Sequence, residues 1–316
     1  MTQRDENPYP YSDSNKRYQT YDYYVRRTFG GKCAKIPLDA GFSCPNKDTS
    51  RGTGGCIFCL SGAAAHRSCS SDLGMQYKCA TEAVSRKWSP IGYIPYLQAG
   101  TNTYGDPMHL RDIYETAASL PGAVMLDIAT RADCLDEDAI SEIVRISEKI
   151  PVTVELGLQS SSDTTAALIG RGHTMAEFTD GYRRLRRSGG NIRIGIHLIN
   201  GLPGETHADM LESARSVALL RPDAVKFHLL CVLRGTRLAE MWERGDYAPM
   251  DRNEYVQTVC DQIELMPTDM VIDRVTGDAE ANVLLAPTWS VRKTEVANMI
   301  DKELYRRGTY QGCRAE

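Results

Sequence analysis

The chain has 316 residues, a formal net charge of −4 and an apolar fraction of 42%, which excludes a chain too polar to bury a core and places it with ordinary globular proteins. That balance gives no bulk attraction to nucleic acid or membranes, so such a partner needs a local basic patch; no apolar run reaches the roughly 20 residues of a transmembrane helix, and no membrane partner is expected. Residues 1–24 are polar and tyrosine-rich rather than a signal peptide, so the ten cysteines are read as reduced thiols in the cytoplasm, not a disulfide framework.

Residues 16–27 predict a short helix closing an N-terminal extension over 1–30. Residues 35–39 read as a first strand running into Gly41 and a polar, glycine-rich loop, Cys44-Pro-Asn-Lys-Asp-Thr-Ser-Arg-Gly-Thr-Gly-Gly-Cys56-Ile-Phe-Cys59. The C-x-x-C spacing lets two sulfurs reach one metal centre. Gly52, Gly54 and Gly55 let the chain between Cys44 and Cys56 fold back. Thiolates favour zinc or iron–sulfur clusters. A structural zinc site closes with four protein ligands, and an ordinary 4Fe–4S cluster takes four cysteines. Three thiolates on four irons leave one iron open to a non-protein ligand. The competing reading is a zinc site completed by Cys33, His66, Cys69 or Cys79. An auxiliary cluster on Cys33, Cys69 and Cys79 is disfavoured by their spacing.

A helix is expected over 80–88. Strands follow at 91–98, 122–129, 151–158, 191–198 and 224–232, with helices at 136–150, 174–188 and 206–220. Ala139, Ile143, Ile146 and Ile150 share one helical face, and Glu205 and Asp209 suit a helix N-terminus. This alternation argues for a parallel sheet with crossover helices. Each strand has one apolar and one polar face: Val152, Val154, Leu156 and Leu158 oppose Thr153, Glu155, Gly157 and Gln159; Ile192, Ile194, Ile196 and Leu198 oppose Arg193, Gly195 and His197; Val225, Phe227 and Leu229 oppose Lys226 and His228; Asp127 stands on the face opposite Leu126 and Ile128. A doubly wound sheet buries both faces in apolar contacts. An antiparallel sheet with one wet face does not need long helical crossovers. The pattern fits a barrel wrapped by helices on its apolar side, with a polar lumen. Unpaired charges there are too costly, so the lumen must hold water, a ligand or partner charges.

The fold class is therefore α/β: an incomplete (βα)6 barrel over residues 31–235 with an N-terminal extension and, over 236–316, a C-terminal α/β extension covering the barrel. In that extension, helices are expected at 236–245, 251–264 and 291–307, and a strand with its turn at 270–278. Val296, Met299, Ile300 and Leu304 form an apolar stripe on the last helix. Cys134, Cys231 and Cys260 lie in or beside apolar segments and read as buried thiols. The active site of such a barrel lies in the loops at the C-terminal ends of the strands. Those loops are the cysteine loop, Gln98–Tyr104, Thr130–Asp133, Gln159–Asp163 and Asn200–Glu205.

The cysteine loop after the first strand, with five further βα units, resembles the radical S-adenosylmethionine (radical SAM) superfamily. The long gap between the first two cysteines departs from the common C-x3-C-x2-C pattern. It is similar to the branch holding the Elongator catalytic subunit and, more closely, the YhcC/YtqA-like family. Carrying segments are Arg17-Tyr-Gln-Thr-Tyr21, Leu38-Asp-Ala-Gly-Phe-Ser-Cys-Pro-Asn46, Gly54-Gly-Cys-Ile-Phe-Cys59, Glu155-Leu-Gly-Leu-Gln-Ser160, Gly170-Arg-Gly-His173, His197-Leu-Ile-Asn-Gly-Leu-Pro-Gly-Glu205, Val225-Lys-Phe-His228 and Leu285-Ala-Pro-Thr-Trp289. The resemblance implies a 4Fe–4S cluster on Cys44, Cys56 and Cys59, with S-adenosylmethionine on the open iron. Gly100, Thr101 and Asn102 occupy the position of the family's glycine-rich amino-group motif, but depart from Gly-Gly-Glu. Glu155, Gln159 and Arg171 are further cofactor candidates, Arg171 for the methionine carboxylate. Arg131, His197, Lys226 and His228 are candidate substrate contacts. The resemblance also implies a reductant such as flavodoxin or ferredoxin, and tRNA as substrate, at the position-5 side chain of a wobble uridine. Arg183, Arg184, Arg186 and Arg187, with the pairs Arg26–Arg27 and Arg306–Arg307, are basic clusters able to meet phosphates; a solvated helix surface explains them as well. The alternatives are a small-molecule or protein substrate, or a non-catalytic zinc- or cluster-binding module.

Overall fold

The computed structural model describes residues 9, 16–48, 50–51, 54–60, 70–277, 279 and 281–315. Helix α1 (Tyr21–Phe29) precedes β1 (Cys33–Leu38), α2 (Leu73–Ser85), β2 (Gly92–Leu97), α3 (Pro107–Ala118), β3 (Leu126–Thr130), α4 (Glu137–Ser147), β4 (Val152–Gln159), α5 (Asp163–Leu168), α6 (Met175–Arg187), β5 (Ile192–Asn200), α7 (His207–Leu220) and β6 (Ala224–Leu229). The C-terminal part adds β7 (Val232–Leu233), α8 (Arg237–Glu243), α9 (Arg252–Leu265), β8 (Val271–Arg274), β9 (Leu284–Ala286) and α10 (Lys293–Arg307).

Seven strands form one parallel sheet in the order β1-β2-β3-β4-β5-β6-β8. The six βα strands are thus as the alternation predicts, and the extension contributes a seventh. The alternating faces sort as expected. Val152, Val154, Leu156 and Leu158 are buried outward with Ile194, Ile196, Leu198, Val225 and Phe227, in one core with Ile143 and Ile146 of α4 and Phe178, Tyr182 and Leu185 of α6. Reciprocal capping boxes start α6 (Thr174 with Glu177), α7 (Thr206 with Asp209) and α9 (Asp251 with Glu254).

The sheet is strongly curved. Lys35 on β1 and Lys226 on β6 both reach Oε1 of Glu155 on β4. In a flat sheet β1 and β6 would stand roughly 24 Å apart, five interstrand spacings. The lower end of the lumen is plugged by α1, whose Val25 packs with Ile94 and Met125. The residues before α1 run along the free edge of β8: Ile272 donates its N–H to Gln19 O at 2.8 Å. That covers an edge which would otherwise be open to pairing.

Element boundaries depart from expectation where a local bond intervenes. Asp72 caps the N–H of Met75, so α2 starts at Leu73, earlier than the expected residue 80. Only a single bridge, Tyr93 to Ala123, precedes β3, which starts at Leu126. β6 stops at Leu229, not 232. There Leu230 donates to Asn200 O and the chain turns into β7, antiparallel to β9. Short helix α5, capped by Ser162, was not foreseen.

Helix α6 approaches the turn after β3 so closely that a Cβ on Gly181 would lie 1.9 Å from Ala132 O. Gly181→Ala gains about 1 kcal/mol of helix propensity but forces that backbone apart at a cost of about 1–3 kcal/mol. A lower urea midpoint is expected; an unchanged or higher one would show that the helix does not depend on this approach.

Candidate active site

The polar lumen face assembles into layers of paired charge. Lowest, above α1, Arg193 donates to both oxygens of Asp273 at 2.9 and 2.5 Å. Its guanidinium lies over the rings of Tyr24 and Tyr21, at 4.5 and 5.8 Å. The next layer centres on Glu155. Oε1 accepts from Lys35 at 2.9 Å and Lys226 at 2.5 Å; Oε2 accepts from the Tyr96 hydroxyl at 2.6 Å and meets His197 Nε2 at 3.0 Å. Lys35 also pairs with Asp127. The Tyr96 ring lies beside both ammonium groups, its centroid 4.7 Å from Lys35 and 5.2 Å from Lys226. Three cations, Lys35, Lys226 and Arg193, thus meet three carboxylates, Asp127, Glu155 and Asp273, so the expected partner charges are largely the protein's own.

Burial pushes the Glu155 carboxyl up, but Lys226, Lys35 and His197 outweigh it and hold it well below the usual carboxylate range. Lys226 fares differently. Burial pulls its ammonium down to about 8, with Glu155 only partly offsetting this and Lys35 adding to it.

Above this layer, at the C-terminal ends of the strands, lies a cavity of about 210 Å³. Cys44, Cys56 and Cys59 line one side. Gly100, Thr101, Arg131, Glu155, Gln159, Arg171 and His197 line the rest. The cysteine loop is stitched to the segment after α5. Ile57 N donates to Ile169 O at 3.0 Å, and Asn46 Nδ2 donates to Gly170 O at 2.5 Å and Cys56 Sγ at 3.5 Å. Arg237 donates to Gly55 O from α8. Gly170 and Gly172 have φ of +66° and +77°, and their bare Cα atoms make room. A Cβ on Gly172 would lie 2.9 Å from Asn46 Oδ1, and one on Gly170 3.2 Å from Gly55 O. Burial pushes the Cys59 thiol up, with Lys47 partly opposing.

The other candidates divide by location. Gly100 has φ +75°, and a Cβ there would sit 2.1 Å from Phe42 O; with Thr101 N donating to Ser43 O at 2.9 Å, this stretch cradles the cysteine loop. Asn102 is not on the cavity wall. It is fully buried, and its Nδ2 ties Leu97 O to Ala129 O at 2.9 and 2.8 Å. Gln159, at φ +75° where β4 slips register, lines the cavity. Arg171 is buried, donates to Gly157 O, and keeps an unpartnered Nε. Arg131 donates to Arg171 O at 2.8 Å and is clamped by Asp133 at 2.9 Å. Lys226 lies below the cavity. His228 stands behind His197, ring centroids 5.1 Å apart. Asn46, Tyr96, Lys35 and Asp133 have site roles that were not singled out from sequence; Tyr96 carries no signal there, because its segment reads as plain apolar strand.

The proposed completions of a zinc site fare poorly. Cys33 begins β1, at the opposite end of that strand from the cysteine loop, and Cys79 is exposed on α2. His66 and Cys69 lie outside the described residues. Among the described residues no three His, Cys, Asp or Glu side chains converge tightly enough to hold a single metal ion. Three thiols spread along a cavity wall fit the larger footprint of a cluster, and Arg171 Nε and Asn46 Oδ1 beside them are buried polar atoms without partners. A larger cleft of about 850 Å³, between the start of α7 and residues 246–258, holds no cysteine.

The basic clusters lie away from the cavity. Helix α6 runs back from the top of β4 to the bottom of β5, so Arg183–Arg187 sit at the far end of the barrel. There Arg184 pairs with Asp180 at 2.9 Å and Arg186 with Asp223 at 3.0 Å. Arg26 pairs with Asp22, Arg306 with Glu303, and Arg307 with Asp261 and Glu264. Among the described residues no helix is long and apolar enough to cross a membrane.

Glu155→Gln strands buried ammonium groups and is expected to cost about 3–5 kcal/mol in denaturant unfolding. Lys226→Met is expected to cost less, about 1–2 kcal/mol, because folding already drives this ammonium toward its neutral form. Between pH 8 and 10 the unfolded chain holds the Lys226 proton that the folded chain gives up, so wild-type stability should rise with pH there. In Lys226→Met that slope flattens. Equal costs for the two variants, or equal slopes, would contradict this picture of the layer.

The model of the radical SAM superfamily matches residues 48–217, and that of the Radical_SAM C-terminal domain matches 222–306. YtqA of Bacillus subtilis is 41% identical over 310 residues, covering 97% of this chain and 95% of that one. YhcC of Escherichia coli is 32% identical over 290 residues, covering 90% and 91%. A tRNA uridine(34) acetyltransferase of Methanocaldococcus infernus is 28% identical over 193 residues, covering 60% of this chain and 35% of that enzyme. Among solved structures, archaeal Elp3 from the same organism superposes with a TM-score of 0.67 at 20% identity, covering 88% of this chain and 64% of that one; methylornithine synthase does so at 0.51 and 13%, covering 92% and 86%. Members of the superfamily are enzymes that use a 4Fe–4S cluster and S-adenosylmethionine and draw electrons from an external reductant. With three thiols on a cavity above a charge-paired lumen and these matches along its length, the chain belongs to the radical SAM superfamily and, within it, to the YhcC/YtqA-like family.

Proposed function

We propose that Cys44, Cys56 and Cys59 hold the 4Fe–4S cluster, that the adjoining cavity takes S-adenosylmethionine, and that the enzyme modifies tRNA at the position-5 side chain of a wobble uridine. One observation carries the cofactor assignment. Three thiols from one loop line a cavity on which, among the described residues, no fourth cysteine stands. When bound, the cluster supplies the electron that splits S-adenosylmethionine into methionine and a 5′-deoxyadenosyl radical.

The chain's own residues hold and shape the site. Asn46 fixes the cysteine loop by donating to Cys56 Sγ and Gly170 O. Arg171 brings a buried positive charge that suits a carboxylate beside the thiolates. Thr101 and Gln159 offer hydrogen-bonding groups from the opposite wall. Glu155, with both oxygens committed to four protein partners, serves better as floor than as ligand. A primary radical formed there would need bulk water kept out. Residues 1–30 and 236–316 act as extensions of the barrel, and the reductant is a flavodoxin or ferredoxin in the cytoplasm.

The tRNA reading rests on the stretch shared with the tRNA uridine(34) acetyltransferase. Acetyl transfer is not carried over, because that stretch spans a minor part of that enzyme. The basic clusters add no support, being mostly paired and remote from the cavity.

After anaerobic reconstitution, the Cys44→Ala, Cys56→Ala and Cys59→Ala variants should each lose the visible cluster absorbance and dithionite-driven 5′-deoxyadenosine, whereas Cys33→Ala and Cys79→Ala keep both. Zinc retention without S-adenosylmethionine cleavage in the wild type would contradict the cofactor assignment. Nucleosides from tRNA of cells with and without the gene should differ at a modified uridine; identical profiles would refute the tRNA substrate.

A further inference from the structure

The side-chain amide of Asn46 can be placed only one way round. Its Nδ2 donates to Gly170 O at 2.5 Å and to Cys56 Sγ at 3.5 Å. Turned over, Oδ1 would face the Gly170 carbonyl, one acceptor against another. The bond to Gly170 therefore fixes the second N–H on the Cys56 sulfur. Oδ1 is left facing Gly172, where a Cβ would lie 2.9 Å away, and it has no hydrogen-bond partner. Asn46 is buried and lines the cavity. Leaving a buried acceptor unpaired costs as much as one hydrogen bond contributes, or more. The tie to Gly170 alone thus does not account for an amide at this position, and the donation to sulfur is what remains.

Arg171 brings a charge to the same wall of the cavity. Its guanidinium is buried, donates to Gly157 O and leaves Nε without a partner. Arg131 beside it is clamped by Asp133 at 2.9 Å; among the described residues Arg171 has no such carboxylate. Burial, then Arg131, pull the Arg171 guanidinium below its usual range, and Cys56 and Asp133 push it back. Among the described residues lining the cavity, Glu155 is the one carboxylate, and four donors already converge on it. The thiolates are therefore the negative charge that Arg171 is placed to meet.

We propose that Asn46 and Arg171 are positioning residues for electron entry: the Asn46 N–H on Cys56 Sγ and the buried charge of Arg171 raise the reduction potential of the cluster held by the cysteine loop. This rests on the assignment of a 4Fe–4S cluster to Cys44, Cys56 and Cys59. One electron, taken from a reductant of the dithionite or flavodoxin class, makes the thiolate-bound group one unit more negative; no bond breaks and no proton moves. An N–H aimed at sulfur and a cation without a protein counter-charge both interact more favourably with the more negative state. Asn46 acts across the loop on Cys56, not on its near neighbour Cys44, because Gly170 and Gly172 leave room for its amide on that side.

The test uses the full chain, reconstituted anaerobically and free of S-adenosylmethionine. The midpoint potential is read from the electron paramagnetic resonance signal across a graded dithionite titration. Asn46→Ala and Arg171→Gln should each make the cluster about tenfold harder to reduce, a potential about 59 mV lower for one electron. Arg171→Lys, which keeps the charge, should recover most of that shift, as a merely structural role would not require. A loaded variant with an unchanged potential overturns the role assigned to its residue. Where a substitution prevents loading, the wild type decides. With ¹⁵N in its asparagine side-chain amides, the reduced protein should show a ¹⁵N hyperfine coupling, because among the described residues Asn46 is the one asparagine on the cavity wall; its absence overturns the proposal. A wild type that takes up no iron would instead sink the cofactor assignment, whereas a loaded cluster with unmoved potentials sinks this inference alone.

Discussion

The carboxylate of Glu155 meets Lys35 from β1, Tyr96 from β2, His197 from β5 and Lys226 from β6. An isolated carboxylate in that position would protonate or recruit water. Four converging donors keep it ionised, and in doing so they draw together strands that a flat sheet would hold far apart. The curvature of the half barrel and the charge balance of its lumen are therefore one fact seen twice. Replacing such a network by apolar side chains is often neutral or stabilising, so its consequence is better sought in the polar floor it gives the cavity above it.

The cysteine loop depends on that floor indirectly. Its backbone rests on Gly170 and Gly172 and on the turn at Gly100, where a Cβ would lie 2.1 Å from Phe42 O and displace the loop. Asn46 and Arg237 pin it from opposite sides. The loop is thus positioned by backbone contacts with three neighbouring segments rather than by its own regular structure, which suits a site whose remaining order comes from bound metal. The C-terminal part is more than a cover. It supplies the seventh strand, whose Asp273 pairs with Arg193 in the lumen.

Much of this was legible in the sequence, for definite reasons. Strict alternation in residues 151–159 and 191–198 gave both the strands and the polar lumen face, because a strand's two faces alternate whatever the sheet around it does. The cysteine spacing picked out the loop whose three thiols line the cavity. Tyr96 escaped notice because a buried tyrosine among apolar residues looks like core until its hydroxyl partner is known. Asn102 reads as a ligand donor from its place after the second strand, but it lies off the cavity wall and its Nδ2 ties the ends of β2 and β3 together. The arginines of α6 read either as a phosphate patch or as a solvated surface, because sequence gives a helix's composition but not which end of the barrel it faces. The pairing of Arg274 on β8 with Lys226 on β6 could not be read at all, since a one-residue slip in register leaves no mark in the hydrophobic pattern.

The central claim is that three thiolates of one loop leave one iron site open toward the cavity above Glu155. The most direct measurement is the electron paramagnetic resonance spectrum of the dithionite-reduced, reconstituted protein, recorded with and without S-adenosylmethionine. The account predicts a 4Fe–4S signal whose line shape changes on adding S-adenosylmethionine, because the ligand meets an iron directly. A cluster signal that S-adenosylmethionine leaves untouched, or a protein that takes up zinc and no iron, would contradict it.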